Sequence, residues 1–271
     1  MVRLNTDVKV SPGDRQKISR YFEQFEKDAP NKLGNNPKDL IYAAKLIEHY
    51  HALQEEGGHI CKLFQPGPLS IDRYTHHKAF FDATKLYKEV LFRAANRVGK
   101  SEAGAYAVSC WSTGIYPDWW DGRVFDRPTY GWACGDTNDT VRTILQAKLL
   151  GSPIGTGLLP KKNILDTVVR PNTGGTVDTI FVKHEPTGRV SQIKFKTYES
   201  KAKSFFGKDC DWIWMDEEPT GSDAMLIWNQ AYTRLLTTKG NLIITFTPLM
   251  GWTPLVKEFA ETAKDLTPRD E

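Results

Sequence analysis

The sequence has no apolar run near the roughly 20 residues that a bilayer-spanning helix requires, so a helical membrane span is not expected. The opening stretch "MVRLNTDVKVSPGDRQK" lacks the apolar core of a signal peptide, and the chain is expected to stay in a cytoplasm. The four cysteines, Cys61, Cys110, Cys134 and Cys210, form no C-x-x-C pair. That spacing argues against a disulfide framework and a structural zinc site, leaving reduced cysteines in or near a core. A net charge of +3 neither marks a polyanion binder nor repels one as a strongly acidic chain would. Internal repeats and low-complexity tracts are also missing. The remainder is ordinary for a soluble globular protein, with 40% hydrophobic and 25% charged residues over 271 positions. That length can bury one sizeable core, or one core with a small appended subdomain.

Residues 12–57 read as helical. "DRQKISRYFEQFEKD" sets Ile18, Tyr21, Phe22 and Phe25 on one face, and a second periodic run starts at Pro37 and stops at Gly57-Gly58. From "FQPGPLS" onward the texture changes to short β-rich runs separated by helices, which sets a boundary near residue 70. The reading continues with strand "KEVLFRA", a loop, helix "KSEAGAYAVSCWSTG", strand "TYGWACG" and helix "DTNDTVRTILQAKLLG". A hairpin follows in "DTIFVKHEPTGRVSQIKFKTYE", then strand "DWIWMDE", helix "SDAMLIWNQAYTRLLTTKG" and strand "NLIITFTP". Strands alternating with helices predict an α/β fold with a mostly parallel sheet and ligands at the carboxyl ends of its strands. The expected organisation is 1–70 as a helical segment, either part of a lid subdomain or a docking arm, 71–252 as the core, and 253–271 as a helical tail.

Chemistry is densest at "RAANRVGKSEAG". It matches a phosphate-binding loop in which Ala94 holds the usual first glycine position and Arg97 sits inside the loop. The run Ala94, Ala95, Asn96, Arg97, Val98, Gly99, Lys100, Ser101, Glu102 follows the apolar strand Val90-Leu91-Phe92 and opens a helix. That arrangement aims backbone N–H groups and a helix N-terminus at phosphates. Gly99 would let the backbone approach closely, Lys100 would reach the β and γ oxygens of ATP, and the Ser101 hydroxyl would ligate Mg2+.

A second element, "DWIWMDEEP", is an apolar strand that carries Asp216 to the sheet edge, where it can hold Mg2+ through water while Glu217 polarises the attacking water. Glu218 is a rival base; strand neighbours point to opposite faces, so the two glutamates are not expected to share the role, and Glu217 is preferred. A third, "LIITFTP", places Thr245 and Thr247 at a strand end, where their hydroxyls could touch the γ-phosphate or its water. Threonine is also simply a good strand former.

Together "VLFRAANRVGKSEAG", "KTYESKAKSFFGKDCDWIWMDEEP" and "IITFTP" resemble, in order and separation, the ATPase half of a large terminase subunit, the motor that packages double-stranded DNA into tailed-phage proheads. The resemblance covers about residues 72–252. It implies a P-loop NTPase of the type with an additional strand between the two Walker strands and a catalytic glutamate, with a small helical lid subdomain. It assigns Arg97 a catalytic or sensing role toward the γ-phosphate, and Thr245 and Thr247 the coupling role. It implies ATP and Mg2+ as cofactors. Double-stranded DNA, a portal protein and a small terminase subunit are the implied partners. The implied assembly is a homo-oligomeric ring, usually of five, at the procapsid portal vertex in the host cytoplasm, with a monomer as the isolated form.

Two departures from the family pattern stand out. Relatives read the adenine edge with an upstream glutamine in Q-x-x-F, whereas "HHKAF" offers His77 at that place. Some relatives carry a neighbour-supplied arginine just ahead of the second Walker strand, where "ESKAKSFFGKD" has only Lys201, Lys203 and Lys208. A lysine acting in trans, another arginine such as Arg142, or Arg97 alone in cis remain the options. These lysines, with Lys194 and Lys196, are also open to contact with DNA phosphates. Relatives continue into a two-metal nuclease domain; no residue after Glu218 makes a credible acidic cluster. The chain is therefore expected to be an ATPase half excised from a longer protein, or a split gene product, without nuclease activity. Rival readings are a helicase or repair translocase and a nucleotide-gated scaffold that does not hydrolyse. The first would need a second ATPase-like domain or helicase arginine motifs, neither of which is found, and the pair Asp216-Glu217 speaks against the second.

Overall fold

A computed structural model describes residues 60, 62–152, 154–171, 175–200, 202–219, 223–247 and 251–262. The helices expected within 12–57, and so the lid-or-arm question for 1–70, lie outside the described residues, as do Cys61 and the tail beyond residue 262. All described residues belong to one unit beginning at Gln54.

Seven strands form one sheet: β1 (Glu89–Arg93), β2 (Tyr130–Gly135), β3 (Ile164–Val169), β4 (Val177–Lys183), β5 (Val190–Thr197), β6 (Trp212–Asp216) and β7 (Asn241–Phe246). Their order is β1-β7-β6-β2-β5-β4-β3. β1, β7, β6, β2 and β5 run parallel, while β4 and β3 add an antiparallel flank to β5. All of β6 ("WIWMD") and β7 ("NLIITF") are buried, as expected for central parallel strands covered on both faces. The flank contains the expected hairpin, with β4 and β5 paired around the 184–188 turn.

β3 was not anticipated. It is an edge strand whose six residues are all half-buried or exposed, so it shows no alternation for a sequence reading to find.

Helix α1 (Thr75–Leu86) precedes β1, and Asn241 ties its end to β7 by donating to the carbonyls of Thr84, at 2.8 Å, and Tyr87, at 3.2 Å. Helix α2 (Lys100–Thr113) follows the loop. From Ala103 to Thr113 it is wholly buried, and small residues let it lie close on the sheet: a Cβ built at Gly104 would meet Trp214 Nε1 at 2.3 Å. Helix α3 spans 138–150 and contains a π-helical segment, Val141–Gln146. Helix α4 (Ala224–Thr233) is shorter than its periodicity predicts, because the chain turns from Arg234 to Gly240. Helix α5 (Pro254–Thr262) is the last described element.

One buried cluster fills the α1/α2 side of the sheet, while the other gathers Trp132, Phe205, Ile244, Trp228 and the α5 residues Leu255 and Val256 on the opposite side. Cys110, Cys134 and Cys210 are buried and free, as composition suggested. No described helix is long and apolar enough to cross a membrane.

Candidate nucleotide site at the strand ends

The carboxyl ends of β1, β7 and β6 lie side by side, and the loop from Ala94 to Ser101, with Asp216, Glu217, Thr245 and Thr247, comes from the turns and ends at that edge. The loop leaves β1 at Ala94. Asn96, Arg97, Val98 and Gly99 are exposed, and Arg97 (φ 64°) and Gly99 (φ 83°) both take left-handed backbone. For Gly99 this is free of strain; Arg97 holds a conformation that non-glycine residues avoid. Gly99 then precedes the first turn of α2. Arg97 makes no side-chain hydrogen bond or ion pair among the described residues.

Lys100 is buried at 6% exposure, and its Nζ donates to Ala95 O and to Thr247 Oγ1, each at 2.8 Å. Thr247 Oγ1 in turn donates to Asn96 Oδ1 at 2.7 Å. Its backbone N–H, meanwhile, donates to Glu217 Oε2 at 3.1 Å. A single residue at the end of β7 thus touches both the loop lysine and the candidate base.

Asp216 sits opposite Thr245 in the β6/β7 register. Trp214 Nε1 donates to Thr245 Oγ1 at 2.8 Å, and that hydroxyl donates onward to Asp216 Oδ1 at 2.7 Å. Burial pushes the Asp216 carboxyl up to about 6, while hydroxyl donation from Thr245 and Ser101 holds it down. Asp216 and the Ser101 hydroxyl are therefore neighbours, although they come from β6 and α2.

The two glutamates are separated by their contacts. Glu217 is half-buried and faces Thr247. Glu218 is buried and accepts from Thr253 Oγ1 at 2.8 Å, and the Thr253 hydroxyl also receives the Val256 N–H of α5's first turn. Alternation along a strand is not the cause, since β6 ends at Asp216 and Glu217 has φ 61°.

Three further nominated residues are buried. His77 lies between Phe64, Tyr74 and Phe92, with Nε2 3.3 Å from Gly99 O. Burial lowers its pKa. Helix α1 uses this ring to brace the loop from behind. Thr245 is fully buried and its hydroxyl donates to Asp216. Lys196 is not a surface cation. It is 9% exposed, lies 4.0 Å from the Trp132 ring centroid and donates to Ser204 O, and burial lowers its pKa.

Among the other nominated residues, Glu102 pairs with Lys148 at 2.6 Å and Lys194 with Asp178 at 3.2 Å. Arg142 forms an exposed pair with Asp139 at 2.7 Å, and Lys208 lies over the Tyr130 ring. Lys201 and the side chain of Lys203 lie outside the described residues. The sequence reading assigned no role to Trp214, Tyr198 or Thr253. A tryptophan in mid-strand is a usable signal, because its buried N–H needs a partner; nothing local marks the other two.

A loop between β1 and α2 that closes on Gly99, with β7 inserted between the loop strand and the carboxylate strand β6, defines a P-loop NTPase fold of the additional-strand type. Within that class the chain belongs to the terminase large subunit family: the model of the T4likevirus-type terminase large subunit, N-terminal region, matches residues 91–268. The terminase large subunit of Salmonella phage P22 is 32% identical over 246 residues, covering 82% of this chain and 47% of that protein. The chain thus spans about half the length of the curated relative it matches. Similar solved structures include the large terminase ATPase domain of Thermus phage P74-26, at 15% identity and TM-score 0.46, covering 72% of this chain and 74% of that one. The HK97 bacteriophage large terminase is similar at 13% identity and TM-score 0.46, covering 74% and 38%.

Proposed function

We propose that the chain binds and hydrolyses ATP to drive double-stranded DNA into a procapsid, as the motor half of a terminase large subunit. The observation that carries the reading is Thr247, which holds Lys100 through its hydroxyl and Glu217 through its N–H. A phosphate cation and a water-activating carboxylate are thereby set against each other across one residue.

In this mechanism the Gly99 turn and the N-terminus of α2 present N–H groups to the phosphates, and the Lys100 ammonium leaves Thr247 to neutralise β and γ oxygens. Glu217 accepts hydrogen bonding from the attacking water and orients it in line. Its left-handed backbone turns the carboxylate toward Thr247. Arg97, whose guanidinium has no hydrogen-bond or ion-pair partner among the described residues, supplies positive charge as the γ-phosphoryl group departs. The donor set fits Mg2+: a hydroxyl and a carboxylate are hard oxygen ligands, and Asp216 is a buried acid whose charge is offset by the Thr245 and Ser101 hydroxyls and, more weakly, by Lys148. Ser101 and Asp216 would hold the ion, which neutralises phosphate charge when bound. Thr245 keeps Asp216 in register, and Thr247 reports on the γ position to the chain beyond β7.

As a motor the chain would work in a homo-oligomeric ring, usually of five, at the portal vertex in the host cytoplasm, with the portal protein, the small subunit and DNA as partners. Among the described residues no group of three or more His, Cys, Asp or Glu side chains is placed to hold a metal, and nuclease chemistry is no part of the proposal. The test is phosphate release with and without double-stranded DNA. Glu217→Gln should keep ATP affinity and lose about 10²- to 10⁴-fold in turnover, the range of a general base; undiminished turnover would remove Glu217 from the role.

A further inference from the structure

We infer that Tyr198 is a positioning residue for hydrolysis, its phenol locking the Glu217 peptide in the conformation that points the carboxylate at Thr247. The inference rests on the proposed role of Glu217 as the water-orienting carboxylate. It goes beyond that role by naming what holds the carboxylate in place.

Tyr198 is the first residue past β5, a strand that is not adjacent to β6, and its hydroxyl donates to Glu217 O at 2.9 Å, with Asp216 O at 3.4 Å. Glu217 has φ 61°, in the small left-handed region that a glutamate occupies only when its surroundings over-determine it. Three bonds do so. Its N–H donates to Thr245 O at 2.8 Å, and its carboxylate accepts from the Thr247 N–H at 3.1 Å, so β7 holds two of its groups. The carbonyl is the third, and among the described residues its donor is Tyr198. A residue held only at its N–H and its flexible side chain can relax to negative φ, which swings the Cβ and carries the carboxylate away from Thr247. Holding the carbonyl closes that route.

The phenol is itself rigidly placed. Its ring stacks on Phe205 with centroids 6.4 Å apart, and Phe205 meets Trp132 edge-on at 6.0 Å. Lys196, lying over Trp132 and bonded to Ser204 O, fastens the same short segment to the sheet. Among the described residues the Tyr198 hydroxyl bonds main chain only, so it acts through Glu217.

The test is Tyr198→Phe, which keeps the stacked ring and removes one hydroxyl. Expected is a fall in kcat of about tenfold, equal to about 1.4 kcal/mol, with KM for ATP within about twofold of the parent. A structural role alone would move kcat and KM together with thermal stability, and that result, or an unchanged kcat, would overturn the inference. Tyr232→Phe, at a half-buried α4 position whose ring stacks on Trp228, is the matched control and should leave both constants unchanged. A crystal structure of Tyr198→Phe reads the same point without turnover. Glu217 should leave the left-handed region, and a Glu217 found unmoved refutes the inference even if the parent proves not to hydrolyse ATP. A parent that releases no phosphate, with or without DNA, would instead refute the proposed function.

Discussion

Gly104→Ala puts packing and chemistry in direct opposition to helix propensity. Position 104 lies inside α2, where alanine is favoured over glycine by about 1 kcal/mol, so a local argument predicts stabilisation. The structure predicts the reverse. The added Cβ would lie 2.3 Å from Trp214 Nε1 and 2.6 Å from Cε2, and Trp214 is fully buried in β6 with no space to withdraw into. Either α2 lifts from the sheet or the indole tilts, an overpacking penalty of about 1–3 kcal/mol. Tilting also breaks the bond from Trp214 Nε1 to Thr245 Oγ1 and loosens the hydroxyl that holds Asp216, a loss of about 1–3 kcal/mol for buried polar groups left unpaired. The net is roughly 1–5 kcal/mol of destabilisation after the propensity gain. At about 2–4 °C per kcal/mol for a chain of this size, thermal unfolding should move down by roughly 2–20 °C. Scanning calorimetry of parent and variant measures it. A Tm equal to or above the parent's would refute the reasoning and show that the Trp214 contact yields more readily than a buried β6 strand should allow.

Two further outcomes follow from the same geometry. Glu218→Gln should leave ATP turnover within about threefold of the parent, because the amide oxygen can still accept from Thr253; a loss as large as that of Glu217→Gln would transfer the base to Glu218. Glu89, at the start of β1, has its carboxyl pushed up to about 7 by burial and then by Glu258, with Lys88 acting in the opposite sense. A carboxyl raised in the folded state binds its proton more tightly there than in the unfolded chain, so stability falls as pH rises from 4.5 to about 7 and stays lowered above that. Glu89→Gln should therefore raise stability at pH 8 by about 1–2 kcal/mol, discounted from the ~3 kcal/mol of a fully buried group, and change little at pH 4.5. Urea denaturation at the two pH values checks this; equal effects at both would exclude the ionisation of Glu89 as the cause.

The residues whose chemistry could be read in the sequence are those whose partners are close in the chain. The loop is a strand, a turn and a helix start within a dozen residues, so its kind can be read locally, although the left-handed backbone of Arg97 runs against local preference. β6 and β7 were legible as strands because strands buried on both faces are unbroken apolar runs. What resisted reading depends on contacts between distant residues: Lys100 to Thr247 spans 147 positions, Thr245 to Asp216 spans 29, and Tyr198 to Glu217 spans 19. His77 shows the difference sharply. Its place in a Q-x-x-F-like pattern implies an adenine contact by resemblance, but position on a helix states which residues share a face and not that the ring would be buried against Gly99 O. Strand alternation does not separate Glu217 from Glu218, because the chain has already left β6 at Glu217, whose φ is 61°. What separates them is what each carboxylate meets: Glu217 the end of β7, and Glu218 the cap of α5. Adjacent acids with the same intrinsic chemistry thus acquire different work from the elements they touch, one toward the proposed water and the other toward the helix that follows the coupling strand.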